Sequence, residues 1–154
     1  MGHIESKMSA KVPVERAFDY VANPAKRLQW LESVLEVKDI TEGPIGVGTS
    51  WTEELKIAGR TVEQVRTVTE YERPRRYVYV FTTLGAKSGK FDITFEPEES
   101  GTRVAFIVDY ILPGSAFGKI ADKLLFERSL KKTFGHSLTD LRTALESGQA
   151  ESSK

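Results

Sequence analysis

Cysteine is absent from the 154 residues, which removes disulfide frames, thiol nucleophiles and zinc–thiolate sites. Histidine is nearly absent: His3 and His136 are the two, and a metal site built on them would need help from carboxylates. Neither sign of charge is in excess, with Lys plus Arg at 22 and Asp plus Glu at 22. That takes away the simplest case for a nucleic-acid binder, a surplus of cations to meet phosphates. Long apolar runs are missing as well. Residues 104–108 form one of the longest, far short of the ~20 residues a membrane span needs. The first residues, Met1-Gly2-His3-Ile4-Glu5, lack the basic-then-apolar plan of a signal peptide. The expectation is a cytoplasmic protein with no nucleic-acid partner, no integral membrane association, no cofactor and no metal. With 40% hydrophobic and 29% charged residues, the chain has the make-up of one globular domain.

Residues 3–12 alternate, with Ile4, Met8, Ala10 and Val12 on one parity, and read as a half-buried strand. Pro13 ends it and is preorganised for a first helical turn. Val14, Ala17, Phe18 and Val21 recur at helical spacing. Asn23-Pro24 then stops and restarts the chain, Asn as cap and Pro as first helical residue. The second short helix carries Leu28, Trp30 and Leu31.

From residue 34 to 112 strand follows strand: 51–57, 60–71, 77–83, 90–96 and 102–112, separated by turn residues that include a loop at 85–89. Such short connections imply antiparallel neighbours, because parallel crossovers need a dozen residues or more. Pro113-Gly114-Ser115 caps a long helix over 116–146, where Ile120, Leu124, Leu130, Phe134, Leu138, Leu141 and Leu145 form one stripe. Residues 148–154 read as a disordered tail, leaving 3–147 as a single α+β domain. One helix cannot fill the apolar face of a sheet that wide, and the unfilled part is an apolar chamber.

The hairpin around Ala58-Gly59 fixes what lines that chamber. If those two residues form the turn, Leu55 faces Val62, Glu53 faces Gln64 and Trp51 faces Arg66. Trp51, Leu55 and Val62 then share the apolar side with Glu53, Gln64 and Arg66, and Glu53 and Arg66 lie diagonally within reach of each other. They either neutralise each other at the sheet rim, which is the favoured reading, or orient a polar ligand group inside. Tyr79, Phe81, Phe91, Phe106 and Tyr110 make an aromatic wall that serves as core or as a ligand surface, with the Tyr79 and Tyr110 hydroxyls as anchors. Glu127 falls near the centre of the helix stripe beside Leu124, and marks a wet cavity or the point where the helix leaves the sheet. His136 points away from the stripe, and His3 gains no role.

Several motifs occur in order along residues 4–145: Val12-Pro13-Val14-Glu15-Arg16-Ala17-Phe18 through Asn23-Pro24 and Trp30, Gly46-Val47-Gly48-Thr49, Tyr71-Glu72-Arg73-Pro74-Arg75-Arg76-Tyr77, and Gly101-Thr102-Arg103-Val104. In these the chain resembles the polyketide cyclase/dehydrase-like branch of the START-like (SRPBCC, Bet v 1-type) superfamily. The resemblance implies a helix-grip fold: a curved antiparallel sheet of about seven strands around a long C-terminal helix, with two short helices after the first strand. It implies a hydrophobic pocket but no shared catalytic residue. The leading expectation is binding, transport or sequestration of a small hydrophobic, aromatic or lipid-like molecule. A cyclase or dehydratase is the alternative, with Glu53 as general acid/base and Arg66 stabilising an enolate. A groove that receives a protein segment is the third. Zero net charge permits self-association without implying it.

Overall fold

The computed structural model describes residues 2–57, 59–111 and 123–147, the side chains of 123–126 excepted. Seven strands form one antiparallel sheet in the order β1-β7-β6-β5-β4-β3-β2. They are β1 (Gly2–Ala10), β2 (Val34–Lys38), β3 (Ser50–Ile57), β4 (Arg60–Glu72), β5 (Arg76–Thr83), β6 (Ala86–Glu98) and β7 (Gly101–Tyr110). Helix α1 (Val14–Val21) and a 3-10 helix (Pro24–Gln29) follow β1, and α2 (Lys123–Glu146) comes last. The expected helix-grip architecture is the one observed.

Two-residue turns set the register of the central strands. Ile57 pairs with Arg60, and from there Leu55 meets Val62, Glu53 meets Gln64 and Trp51 meets Arg66. The loop expected at 85–89 is in fact a two-residue turn at Leu84-Gly85, and β6 begins at Ala86. Both turn residues have positive φ, 52° and 78°, which matches the right-handed twist of a hairpin. Gly89 belongs to β6 for a packing reason. A Cβ there would run into the Asp109 carbonyl and the Phe81 ring.

Register shifts between Val34/Glu36, Val68/Glu70 and Phe81/Thr82 bend the strands and curl the sheet. One side of the concave space is packed solid: Phe18, Trp51, Tyr77, Phe95 and Phe106 meet Leu138, Leu141 and Leu145 of α2. Two hydrogen bonds pin the helix there. Glu146 Oε2 accepts from the Lys11 amide at 2.9 Å, and Ser137 Oγ accepts from the Glu32 amide at 3.1 Å. Toward its N-terminal half the stripe changes character. Ser129, Thr133 and Ser137 replace bulky residues beside Leu130 and Phe134, and the space they face is left unfilled. Residues 116–122 of the expected helix, Ile120 included, and the 148–154 tail lie outside the described residues.

The second short helix differs from its sequence reading. An α-helix would direct Leu28 and Leu31 inward, but here Leu28 is 51% exposed. The segment is 3-10, with three residues per turn, so side chains three apart eclipse. Pro24, Arg27 and Trp30 therefore share the inward face, and all three are buried. Asn23 caps this helix as expected, its Oδ1 accepting from the Ala25 amide at 3.0 Å. The tighter winding brings an arginine into the core.

Candidate functional site

The unfilled space is a cavity of about 200 Å³ between the sheet, α2 and the segment following the 3-10 helix. Its apolar lining comes from Leu31, Val34, Leu55, Val62, Phe91 and Phe134, with Ile4, Phe81, Val108 and Tyr110 as a second small cluster at the β1–β7 side. The polar residues on its wall include Arg27, Glu53, Gln64 and Arg66.

These four form a connected group. Glu53 has no exposed surface, and Arg27 and Arg66 are 3% and 4% exposed. Arg27 donates to both Glu53 oxygens, Nε to Oε1 at 2.5 Å and Nη2 to Oε2 at 3.2 Å, and its Nη1 donates to the Tyr79 hydroxyl at 3.1 Å. Trp51 Nε1 donates to Glu53 Oε1 at 3.1 Å. From the other side Arg66 Nε lies 3.0 Å from Glu53 Oε2, a charge contact without hydrogen-bond alignment. Arg66 Nη2 donates to Gln64 Oε1 at 2.6 Å, and Gln64 Nε2 donates to Thr83 Oγ1 at 3.2 Å. Arg66 Nη1 has no hydrogen-bond partner among the described residues. Its guanidinium stands 4.7 Å from the centre of the Phe81 ring and 5.5 Å from those of Tyr79 and Phe91. Aromatic faces at that range favour a cation.

Burial by itself would raise the Glu53 pKa, but the charges of Arg27 and then Arg66 outweigh it and hold the carboxyl at about 2. Burial likewise works against the Arg27 charge, and Glu53 more than reverses that, so the guanidinium is held above its ordinary range. Glu53 and Arg27 are both ionised at neutral pH. Because the folded-state Glu53 pKa lies below the unfolded one of ~4.3, its stabilisation is complete above that value. It is lost as pH falls from there through about 2. Wild type is therefore expected to lose on the order of 2–3 kcal/mol more than Glu53→Gln over this window, in urea unfolding at stepped pH. Parallel losses in the two proteins would contradict the assignment.

The sequence-derived residues divide into four sets. Glu53, Leu55, Gln64, Arg66, Phe81, Phe91 and Tyr110 line the cavity. Trp51, Tyr79 and Phe106 are buried beneath the lining, in the packed core, and the Tyr79 hydroxyl is taken by Arg27 rather than offered to a ligand. Glu127 is half-buried and off the cavity wall; its charge adds to burial in raising the Tyr110 pKa. The Leu124 side chain lies outside the described ones. The rim reading of Glu53 and Arg66 is corrected: the strands carry them into the interior, where only other side chains compensate their charge. Arg27 was missed altogether. The signal that would have found it is the spacing Pro24-x-x-Arg27-x-x-Trp30 read with a period of three. Elsewhere charges are paired at the surface, Arg73 with Asp19 and Arg76 with Asp92, and the His136 ring lies 3.4 Å from Glu32.

Among the described residues no helix is long and apolar enough to cross a membrane. No curated protein matches the sequence. Solved structures with this fold include TTHA0849 from Thermus thermophilus, at 17% identity and TM-score 0.77 over 99% of this chain and 100% of that one. CV1439 from Chromobacterium violaceum gives 18% and 0.71 over 95% and 99%. Ara h 8.0201, a Bet v 1-like protein, gives 15% and 0.67 over 94% and 97%. At such identities the likeness is one of fold. Residues 1–146 match the family model described as polyketide cyclase / dehydrase and lipid transport, and the chain belongs to that family.

Proposed function

We propose that the protein binds a small hydrophobic molecule inside the cavity, with a polar group of the ligand against the Arg66 wall. The observation that carries this is an unfilled space of about 200 Å³, mostly apolar but with a buried charged cluster on one side. Ligand sites have this make-up, an apolar lining with a few placed polar groups that fix orientation. The volume somewhat exceeds the ~150 Å³ of an engineered cavity that takes up benzene, which suits a molecule of one or two rings or a medium-length chain. A guest burying ~250 Å² of apolar surface gains about 6 kcal/mol on leaving water, which sets the affinity scale at tens of micromolar.

The geometry favours binding over acid–base catalysis by Glu53. A general base works best with a pKa near the operating pH, and this carboxylate sits near 2 with its oxygens engaged by Arg27, Trp51 and Arg66. It positions the arginines instead. The test is a fluorescence titration with N-phenyl-1-naphthylamine, a neutral apolar dye. Binding in the cavity gives a saturable rise in emission with one dye per chain. Emission that stays flat, or climbs without saturating, contradicts it.

A further inference from the structure

We infer that the ligand is an amphiphilic anion, a hydrophobic carboxylate whose head group binds the Arg66 guanidinium. This rests on the binding function proposed above and narrows it to one chemical class. The first support is a charge count. Among the described residues two buried guanidinium groups, Arg27 and Arg66, face one buried carboxylate, Glu53, which leaves one positive charge of the cluster uncompensated by them. Buried charge that is not matched is costly, and an anion entering the cavity removes the mismatch.

The second support is directional. Arg27 spends Nε, Nη1 and Nη2 on Glu53 and Tyr79, so it has little left for a guest. Arg66 lines the cavity and directs Nη2 to Gln64, while its Nη1 is buried beneath the wall and has no partner among the described residues. The aromatic rings of Phe81, Phe91 and Tyr79 occupy positions around the guanidinium and accept no conventional hydrogen bond from Nη1. A carboxylate at this guanidinium adds an opposite charge and a second oxygen for bidentate pairing, neither of which a neutral amide oxygen supplies. Among the described residues the other charged groups near the cavity do not reverse this. Lys56 lines it as an exposed cation, and Glu127 stands off the wall near Tyr110.

Two matched pairs of probes test the inference by isothermal titration calorimetry at pH 7: 2-naphthoate against 2-naphthamide, and octanoate against octanamide. The expected result is that at least one carboxylate binds about tenfold or more tightly than its amide, a difference of about 1.4 kcal/mol. In Arg66→Gln the preference falls below about threefold. In Lys56→Gln the preference is kept. Amides that bind as well as or better than the acids overturn the anion assignment and leave hydrophobic binding standing. Absence of binding by both pairs overturns the anion assignment, and failure of the neutral dye as well overturns the binding function itself. A preference that disappears in Lys56→Gln places the head at the exposed lysine and also overturns the assignment to Arg66. The wild-type comparison is decisive even if Arg66→Gln does not fold, because it needs no substitution.

Discussion

Glu53→Leu is expected to lower the unfolding free energy by about 3–5 kcal/mol at neutral pH, the range for removing one partner of a buried ion pair. A leucine packs in a comparable volume, so the loss comes from charge rather than shape. Arg27 and Arg66, both buried, then face each other across a space from which their shared counter-ion has gone. Since domains are stable by only ~5–15 kcal/mol, the variant loses a large share of its stability. Arg27→Met placed on top of Glu53→Leu removes one of the two stranded charges and is expected to restore part of the loss. Non-additivity of this kind is what a double-mutant cycle measures. Trp51 donates to Glu53 and Trp30 is buried as well, so tryptophan fluorescence follows the urea unfolding. A change below about 0.5 kcal/mol for Glu53→Leu, the level of an ordinary surface substitution, would contradict the cluster.

Val62→Trp is expected to abolish uptake with little loss of stability. Val62 lines the cavity and is half-buried, so an indole can project into existing space without displacing packed neighbours. Large residues forced into a filled core cost about 1–3 kcal/mol; here the urea midpoint should barely move. Affinity for N-phenyl-1-naphthylamine should fall by about 100-fold, equivalent to about 2.7 kcal/mol. Unchanged affinity would mean that the dye binds elsewhere. A large loss of stability with retained affinity would mean that the space around Val62 is already full.

The sheet was readable from the chain because its turns are short and its strands alternate. A two-residue turn leaves one register for 51–57 against 60–71, and that register placed Glu53, Gln64 and Arg66 on one face. Depth was not readable. The same alternation describes a rim and an interior, and only the curl imposed by the bulges near Glu70 and Ser88 separates them. Arg27 escaped because a charged residue between Lys26 and Leu28 reads as solvated at any α-helical phase, and the 3-10 winding that buries it depends on tertiary packing. The aromatic wall was seen whole, but alternation cannot tell a ring that borders empty space, such as Phe91, from one beneath it, such as Phe106. The serine and threonine positions of α2 held the better clue, since Ser129, Thr133 and Ser137 recur every four residues on the face that turns toward the sheet. Small polar side chains there leave the vacancy that bulkier ones would fill.

The most direct test is nuclear magnetic resonance on methyl- and arginine-labelled protein titrated with 2-naphthoate. Nuclear Overhauser contacts are expected from the naphthalene protons to the Leu55 and Val62 methyls and the Phe134 ring, together with a shift of the Arg66 guanidinium resonances. Contacts confined to exposed positions such as Leu35 and Val65, with Leu55, Val62 and Arg66 unmoved, would place the guest on the outside and contradict a cavity-bound acid.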